Sequence, residues 1–241
     1  WELQQRETIA PHDAVGSNLE VHIRRNQVLR VAPRENEAVN EVWLADRDRF
    51  SYEGLTASDR LTTPMVKTDG KWQATDWEKA LAFATEGLKE VIKKHGSQAL
   101  GGLASPTATV EELYLLQKVV RGLGSANLDH RLRQVDFSDQ QEAPLFPYLG
   151  QAIAELETGD AALVIGSHLR KEQPLLNHRL RKAALRGAKV MLVNSVDYEF
   201  NFPLAEKIIA SPTALVANVA GIAKALWDNP GTLIPTPMQT L

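Results

Sequence analysis

Apolar and polar side chains alternate with a period of two in two short segments near the start of the chain. Residues 19–23 (LEVHI) and 27–32 (QVLRVA) show this alternation, and polar residues separate them. A period of two is typical of a half-buried strand, and the polar break predicts a turn. A second hairpin is predicted around Asp69-Gly70, a strong turn pair. The first 60 residues are therefore predicted to form a small β-rich module.

The apolar period becomes that of a helix after Thr75. Thr75 and Glu78 are spaced as a capping box, and Thr109 and Glu112 repeat that spacing before residues 110–123. The first of the two predicted helices carries one apolar stripe, made of Trp77, Leu81, Ala84, Leu88, Val91 and Ile92. Both segments are predicted to be amphipathic helices.

Nearly continuous apolar runs alternate with helical segments in the rest of the chain. Strands are predicted at residues 101–104, 161–165 and 189–193, with a helix over about 174–186 between the last two. Fully apolar strands that alternate with helices indicate a parallel sheet covered on both faces. The predicted fold class is α/β, with the β-rich module over residues 1–60 and a partial, Rossmann-like parallel-sheet domain over residues 61–241.

Composition removes several classes of site. The 241-residue chain has no cysteine, which excludes disulfides, thiolate nucleophiles, zinc ribbons and cysteine-ligated iron–sulfur clusters. Its formal net charge of −3 gives no indication of a nucleic-acid partner. No run of eighteen apolar residues is present, so no membrane-spanning helix is expected.

Candidate chemistry is sparse. No P-loop, G-x-G-x-x-G or G-x-S-x-G pattern occurs, so no catalytic residue is predicted. The six histidines do not cluster, and His168 and His178 lack partners at metal-ligand spacing, so no metal site is expected. One helix carries a basic group that is expected to face solvent rather than nucleic acid: Arg179, Arg181, Lys182 and Arg186.

Several dense blocks resemble known families. Residues 104–136 (ASPTATVEELYLLQKVVRGLGSANLDHRLRQVD) and 161–195 (AALVIGSHLRKEQPLLNHRLRKAALRGAKVMLVNS) resemble molybdopterin oxidoreductases. The opening, with WELQQRETIAPHDAVGSNLEV and VLRVAPRENEAVNEVWLADRDRFSYEGL, resembles the large hydrophilic subunit of NADH:quinone oxidoreductase, respiratory complex I. That family is known as the G subunit in bacteria and as the 75 kDa subunit in mitochondria.

The resemblance implies a lost cluster in the first module, which is similar to the 4Fe-4S module of Mo/W bis-MGD enzymes. Cluster-bearing relatives have C-x2-C-x3-C and, after twenty-seven intervening residues, a fourth cysteine. These positions fall on Ala10, Asp13, Ser17 and Ala45, so the spacing is kept while every thiolate is absent. Alanine cannot ligate iron, and the hydroxyl and carboxylate lack the soft sulfur that the cluster requires. The module is therefore predicted to be a vestige.

The resemblance also implies an eroded nucleotide turn at Gly166, Ser167 and His168. His168 stands where the family's G-S-N turn has asparagine, and NSVDYEF replaces the family's D-P-R-x-T after the following strand. No cofactor is expected in this chain. Two interpretations stay open for Tyr198, Phe200 and Phe202: the rings cap the sheet, or they form a patch for absent parts of the subunit.

The resemblance implies a structural segment of the complex I peripheral arm, without a redox centre of its own. The intact subunit would carry 2Fe-2S and 4Fe-4S clusters upstream. Its expected partners are other hydrophilic subunits of complex I and the missing N- and C-terminal parts of the same chain, with no nucleic acid and no membrane insertion. The expected location is the cytoplasmic side of the inner membrane. The alternative is a fragment of a molybdenum or tungsten bis-MGD oxidoreductase that still binds a pterin cofactor.

Overall fold

The computed structural model describes residues 2–131, 138, 141–143 and 148–228. The chain divides into two compact units, each built from separate stretches. The first unit comprises residues 1–16, 20–32 and 46–147, and the second comprises 17–19, 33–45 and 148–241. The predicted domain boundary at residue 60 stays a prediction.

A small antiparallel sheet contains the first three strands in the order β1-β2-β3: β1 Gln4–Ile9, β2 Asn18–Arg24 and β3 Gln27–Pro33. The predicted hairpin of β2 and β3 is confirmed, and its turn residues Arg25 and Asn26 have φ values of 49° and 64°. Left-handed values at both central residues are those of a type I′ turn. β1 was not predicted because its sequence, QQRETI, is exposed along its whole length and carries no apolar alternation.

Two short helical segments and a second hairpin follow in the first unit. Helix α1 spans Asp46–Phe50, and a 3₁₀ helix spans Ser51–Leu55. The predicted hairpin pairs β4 (Met65–Thr68) with β5 (Lys71–Ala74) in antiparallel register. The prediction from Asp69-Gly70 is confirmed, because both turn residues have positive φ.

Helix α2 spans Trp77–His95 as predicted, but its N-cap is Asp76 rather than Thr75. The Asp76 carboxylate accepts a hydrogen bond from the Lys79 backbone N–H at 2.8 Å, so the predicted capping box of Thr75 and Glu78 is wrong. An aspartate one residue nearer the helix is an equally good cap and is in the right place to reach the third backbone N–H. The apolar stripe of α2 lies on the surface, with Trp77 71% exposed.

Helix α3 spans Val110–Gly122 and packs beside a two-stranded parallel sheet. The predicted capping box is confirmed, since the Thr109 and Glu112 side chains each accept from the other's backbone N–H. The sheet pairs β6 (Gly102–Leu103) with β7 (Leu128–Asp129). A Cβ at Gly102 would lie 2.9 Å from the side chains of Val120 and Leu128, so only glycine permits this close helix packing.

The second unit contains a three-stranded parallel sheet in the order β10-β9-β8: β8 Ala161–Ile165, β9 Lys189–Asn194 and β10 Glu206–Ile209. The predicted parallel pairing of the strands at 161–165 and 189–193 is confirmed. Its helices are α4 Leu169–Glu172, α5 Pro174–Leu185 and α6 Leu215–Asp228. Two 3₁₀ helices lie at Ile153–Glu157 and Pro212–Ala214.

The core of the second unit lies between its sheet and α5. It consists of Val164, Leu180, Ala184, Val190, Leu192 and Phe202. Each fully buried Val, Leu or Phe side chain contributes about 1.5–3 kcal/mol relative to exposure, so this cluster fixes the carboxyl ends of β8 and β9. None of the helices in the described residues is long and apolar enough to cross a membrane.

Candidate functional site

All four positions that resemble cluster ligands are buried. Ala10 and Asp13 are each 5% exposed, Ser17 is fully buried and Ala45 is 4% exposed. Ala10 and Asp13 belong to the first unit, and Ser17 and Ala45 belong to the second. The Ser17 hydroxyl has no hydrogen-bond partner among the described residues. These are interior positions, as ligand positions would be, although none of the four residues is a thiolate.

Asp13 is held by two hydrogen bonds within the first unit. Its Oδ2 accepts from Nη2 of Arg47, on helix α1, at 2.9 Å, and its Oδ1 accepts from the backbone N–H of Val15 at 3.0 Å. The Asp13 side chain is only 1% exposed, whereas the Arg47 side chain is 33% exposed. Both carboxylate oxygens are already engaged by the protein, which leaves Asp13 poorly suited to ligate a metal.

A second buried carboxylate, Asp48, lies in the same region of the first unit. Burial raises the pKa of Asp48, and the nearby charge of Asp13 raises it further, whereas His12 and Arg47 oppose the rise. The backbone N–H of His12 lies close enough to Asp48 to oppose the rise, but it makes no hydrogen bond of good geometry to either carboxylate oxygen. Nothing in the sequence predicted this, because alternating charges in DRDRF are typical of a solvated helix.

A groove of about 1000 Å³ lies beside the loop of residues 10–16 in the first unit. One wall contains Ala10 and Asp13, and the other contains the loop after β6 and the start of α3. The Glu112 carboxylate accepts from the Thr109 backbone N–H at 2.8 Å, which places a negative charge at this helix start. Across the described residues, no group of three His, Cys, Asp or Glu side chains could hold a metal ion.

The degenerate nucleotide turn follows β8 in the second unit. Gly166 adopts φ of +65°, and its N–H donates to the carbonyl of Val193 at 2.9 Å. The Ser167 hydroxyl donates to Oε2 of Glu172 at 2.5 Å, and the Ser167 carbonyl accepts from Nδ2 of Asn194 at 3.0 Å. Hydrogen bonds within the protein therefore engage the Gly166 N–H and the hydroxyl and carbonyl of Ser167, whereas Nε2 of His168 is buried without a partner among the described residues.

Aromatic rings occupy the space next to the turn. The His168 ring stacks on Tyr198 with centroids 4.1 Å apart and planes only 7° from parallel, and Phe200 meets His168 edge-on. Phe202 is buried in the core, whereas Tyr198 and Phe200 are half-buried. The rings thus cap the sheet in part, and the alternative of a partner patch is not removed.

Ligands of open α/β sheets bind in the crevice at the carboxyl ends of the strands. Here that crevice holds the stacked His168 and Tyr198 rings, and the neighbouring Ser167 hydroxyl is bound to the Glu172 carboxylate. A carboxylate repels phosphate, and the Ser167 hydroxyl that could bind a phosphate is already bound to that carboxylate. The residues present therefore do not fit a pterin guanine dinucleotide.

An ion cluster within the second unit, which the sequence did not predict, joins residues 37–41 to α5. Its members are Glu41, Glu157, Arg179, Lys182 and Arg186. Arg179 bonds both carboxylates and also donates to the carbonyls of Glu37 and Val39 at 2.7 and 3.2 Å. The expectation that this basic group faces solvent is wrong for Arg179, which is 4% exposed. Helix periodicity could not reveal carboxylates from distant parts of the chain.

Burial alone would raise the pKa of Glu157, but hydrogen bonds from Lys182 and Arg179, together with their charges, lower it to about 2. The same contacts raise the pKa of Lys182. Glu157 and Lys182 therefore stay ionised at neutral pH, and their ion pair attaches α5 to the 3₁₀ helix that ends at Glu157.

Two family models match different parts of the chain. The model of the molybdopterin oxidoreductase family matches residues 60–229, about seven tenths of the chain. The chain belongs to the molybdopterin oxidoreductase family. A second family model, the 4Fe-4S domain of NADH-ubiquinone oxidoreductase NDSU1/NuoG-like proteins, matches residues 3–53 of the chain.

Similar proteins are named as subunits of NADH-quinone oxidoreductase, which confirms the predicted resemblance. The chain is 34% identical over 205 residues to the NADH-ubiquinone oxidoreductase 75 kDa subunit of Reclinomonas americana, covering 78% of the chain and 28% of that protein. It is 35% identical over 191 residues to the G subunit of NADH-quinone oxidoreductase from Rickettsia felis, covering 78% and 27%. The chain thus spans little more than a quarter of these relatives.

A solved structure agrees on the fold. Acetylene hydratase from Pelobacter acetylenicus matches with a TM-score of 0.57 over 78% of this chain and 27% of that chain. Sequence identity in the match is 16%, so the similarity shows the fold alone. It confirms the predicted molybdopterin oxidoreductase-type architecture.

Proposed function

We propose that this chain is a structural segment of the large hydrophilic subunit of a NADH:quinone oxidoreductase, without a redox centre of its own. The complex as a whole would pass electrons from NADH to quinone. The intact subunit would carry 2Fe-2S and 4Fe-4S clusters upstream of this segment. Its arm would lie on the cytoplasmic side of the inner membrane. The names of the relatives support the assignment to the complex.

The main support for a structural role comes from the residues at the four ligand-like positions. They keep the spacing of a cluster-binding module and are buried, yet they present two methyl groups, one hydroxyl and one carboxylate. An iron–sulfur cluster is normally held by four thiolates. A buried module of this kind can pack and orient its neighbours but cannot hold such a cluster.

Metal analysis of the purified chain tests the absence of a redox centre. Iron, molybdenum and tungsten are measured by mass spectrometry after anaerobic purification, and a bacterial ferredoxin taken through the same procedure serves as the positive control. We expect less than about 0.1 equivalent of each metal and no visible charge-transfer absorption, because no thiolate is present. A stoichiometric amount of any of the three metals would contradict the proposal.

The alternative function is a fragment that still binds a pterin cofactor through its guanine nucleotide. The hydrogen bond from Ser167 to Glu172 argues against it, since a phosphate at this turn would have to displace the Glu172 carboxylate. Calorimetric titration with GDP tests this point. We expect no saturable heat up to millimolar GDP for the natural chain. Saturable micromolar binding that a Tyr198→Ala substitution alters would favour the alternative.

The proposed partners are other hydrophilic subunits of complex I, together with the parts of the same subunit that lie outside this sequence. Coverage of little more than a quarter of each relative supports the second group. Co-expression of the chain with each hydrophilic subunit from the same organism, followed by native mass spectrometry, tests the first. A defined complex with at least one subunit is expected, and the absence of a complex with every subunit would contradict it.

A further inference from the structure

We propose that the Asp13–Arg47 ion pair has replaced the lost cluster as the cross-link between the opening loop and helix α1. The inference rests on the proposed function in one respect, namely that Asp13 occupies a former ligand position. It goes further by assigning a present role to that position. The pair makes a hydrogen bond of 2.9 Å between side chains 34 residues apart in sequence.

The ion pair joins the same two stretches of sequence that a cluster would join. The second and fourth ligand-like positions are Asp13 and Ala45, and Arg47 lies two residues after Ala45. Residues 10–16 contain no helix or strand, so regular backbone hydrogen bonds do not anchor this loop. Its attachment to α1 therefore depends on side-chain contacts, of which the one from Asp13 is charged and directional.

The burial of Asp13 distinguishes this pair from an ordinary surface salt bridge. Exposed pairs contribute little to stability because water screens them. The Asp13 side chain is 1% exposed, so its charge is compensated by protein groups rather than by solvent. Its second oxygen accepts from the Val15 N–H, which ties the conformation of the loop to the same carboxylate. Loss of Arg47 would leave a buried carboxylate without its cation, which is strongly destabilising.

A double-mutant cycle on the metal-free chain tests the cross-link. The variants are Asp13→Asn, Arg47→Met and their combination, and the measurement is the unfolding equilibrium constant from urea denaturation. We expect coupling of roughly tenfold or more in that constant between positions 13 and 47. Arg49→Met, on the same helix, is the matched control, and we expect its coupling with Asp13→Asn to stay within about twofold. Equal coupling in both cycles would overturn the proposal.

If Arg47→Met alone does not fold, two further measurements test the cross-link: the stability of the combined variant and local hydrogen exchange in Arg47→Lys. The combined variant has no buried charge at position 13, so it should fold more stably than Arg47→Met. If it is no more stable than that single variant, the cross-link is contradicted. In Arg47→Lys, hydrogen exchange of the Val15 amide should be at least about tenfold faster while that of Leu192 in β9 is unchanged. Unchanged exchange at Val15 would also contradict the proposal.

The outcomes separate this inference from the proposed function. Stoichiometric iron in the natural chain would contradict the structural role without affecting the measured coupling. Absent coupling in a metal-free chain would contradict the cross-link and leave the structural role in place.

Discussion

Two buried groups of charges, one in each unit, differ in how well their carboxylates are balanced. In the first unit, Asp13 is paired with Arg47, and the charges of His12 and Arg47 do not offset the burial of Asp48 and its repulsion from Asp13. In the second unit, two carboxylates face three cations, with Glu157 bonded by all three: Arg179, Lys182 and Arg186. The pKa of Asp48 is raised, whereas that of Glu157 is lowered to about 2. Both carboxylates are buried, so the contacts with neighbouring cations decide whether the pKa rises or falls.

The opposite pKa shifts give opposite dependences of stability on pH. Glu157 has a folded-state pKa below its ordinary value of 4.5, so its contribution is present above pH 4.5 and is lost as the pH falls towards 2. Asp48 has a raised folded-state pKa, so its contribution is present below pH 3.8 and is lost as the pH rises through the raised value. At neutral pH the ionised Glu157 therefore stabilises the fold, whereas the ionised form of Asp48 is disfavoured in the folded protein.

The largest effect is expected from removing the central cation of the balanced group. Arg179→Met should lower the free energy of unfolding by about 3–5 kcal/mol, because Glu157 and Glu41 lose their shared buried partner. Arg181→Met on the same helix is the control and should change it by less than about 0.5 kcal/mol. Urea denaturation at pH 7 measures both. Losses of similar size in the two variants would show that the cluster is not the cause.

Acid denaturation should reveal the ionisation of Glu157. A pKa lowered from 4.5 to about 2 corresponds to on the order of 3 kcal/mol of stability that is lost over that pH range. Urea denaturation at several pH values should show a steeper acid loss for the natural chain than for Glu157→Gln, in which the titrating group is absent. Parallel curves for the two proteins would contradict the lowered pKa.

Neutralising the unbalanced carboxylate should have the opposite sign. Asp48→Asn should raise the free energy of unfolding at pH 7 by about 1–2 kcal/mol, because it removes a negative charge that burial disfavours. The gain should shrink as the pH falls through the raised pKa of Asp48, because the natural carboxyl then becomes protonated. Asp46→Asn at the exposed start of the same helix is the matched control. A destabilised Asp48→Asn variant at pH 7 would contradict the interpretation of this site.

The smallest effect is expected at the aromatic stack, where no buried ion pair is involved. His168→Ala should lower the free energy of unfolding by about 0.5–1.5 kcal/mol, the range typical of one aromatic pair. Tyr198→Phe keeps the ring and should change it by less than about 0.5 kcal/mol. Thermal unfolding of both variants checks the difference. A larger loss for Tyr198→Phe than for His168→Ala would indicate that the phenol hydroxyl, rather than the stack, matters.

Much of the fold followed from local patterns in the sequence. The Thr109–Glu112 capping box, the Asp69-Gly70 hairpin and the parallel strands at 161–165 and 189–193 each depend on residues close together in the chain. β1 and β10 were missed because neither is buried, so no apolar alternation marks them. The predicted capping box of Thr75 and Glu78 was wrong because Asp76, one residue nearer the helix, caps it instead.

The site was only partly predictable for a different reason. The resemblance to known families pointed to Ala10, Asp13 and the eroded turn at His168. The partners of those residues could not be located in this way, because Arg47 lies 34 residues from Asp13 and Tyr198 lies thirty residues from His168. Arg179 was assigned to solvent because periodicity shows which residues share a helix face but does not show which distant carboxylates cover it.

The hydrogen bonds of Arg179 also have a consequence for synthesis on the ribosome. Arg179 donates to the carbonyl of Glu37, a partner 142 residues earlier, so residues 33–45 are complete long before α5 exists. At about 5–20 residues per second, the wait is on the order of ten seconds. During that time Glu41 is an ordinary solvated carboxylate on a nascent chain. The second unit therefore cannot form its ion cluster until α5 has been synthesised, however early the strands near the N-terminus form.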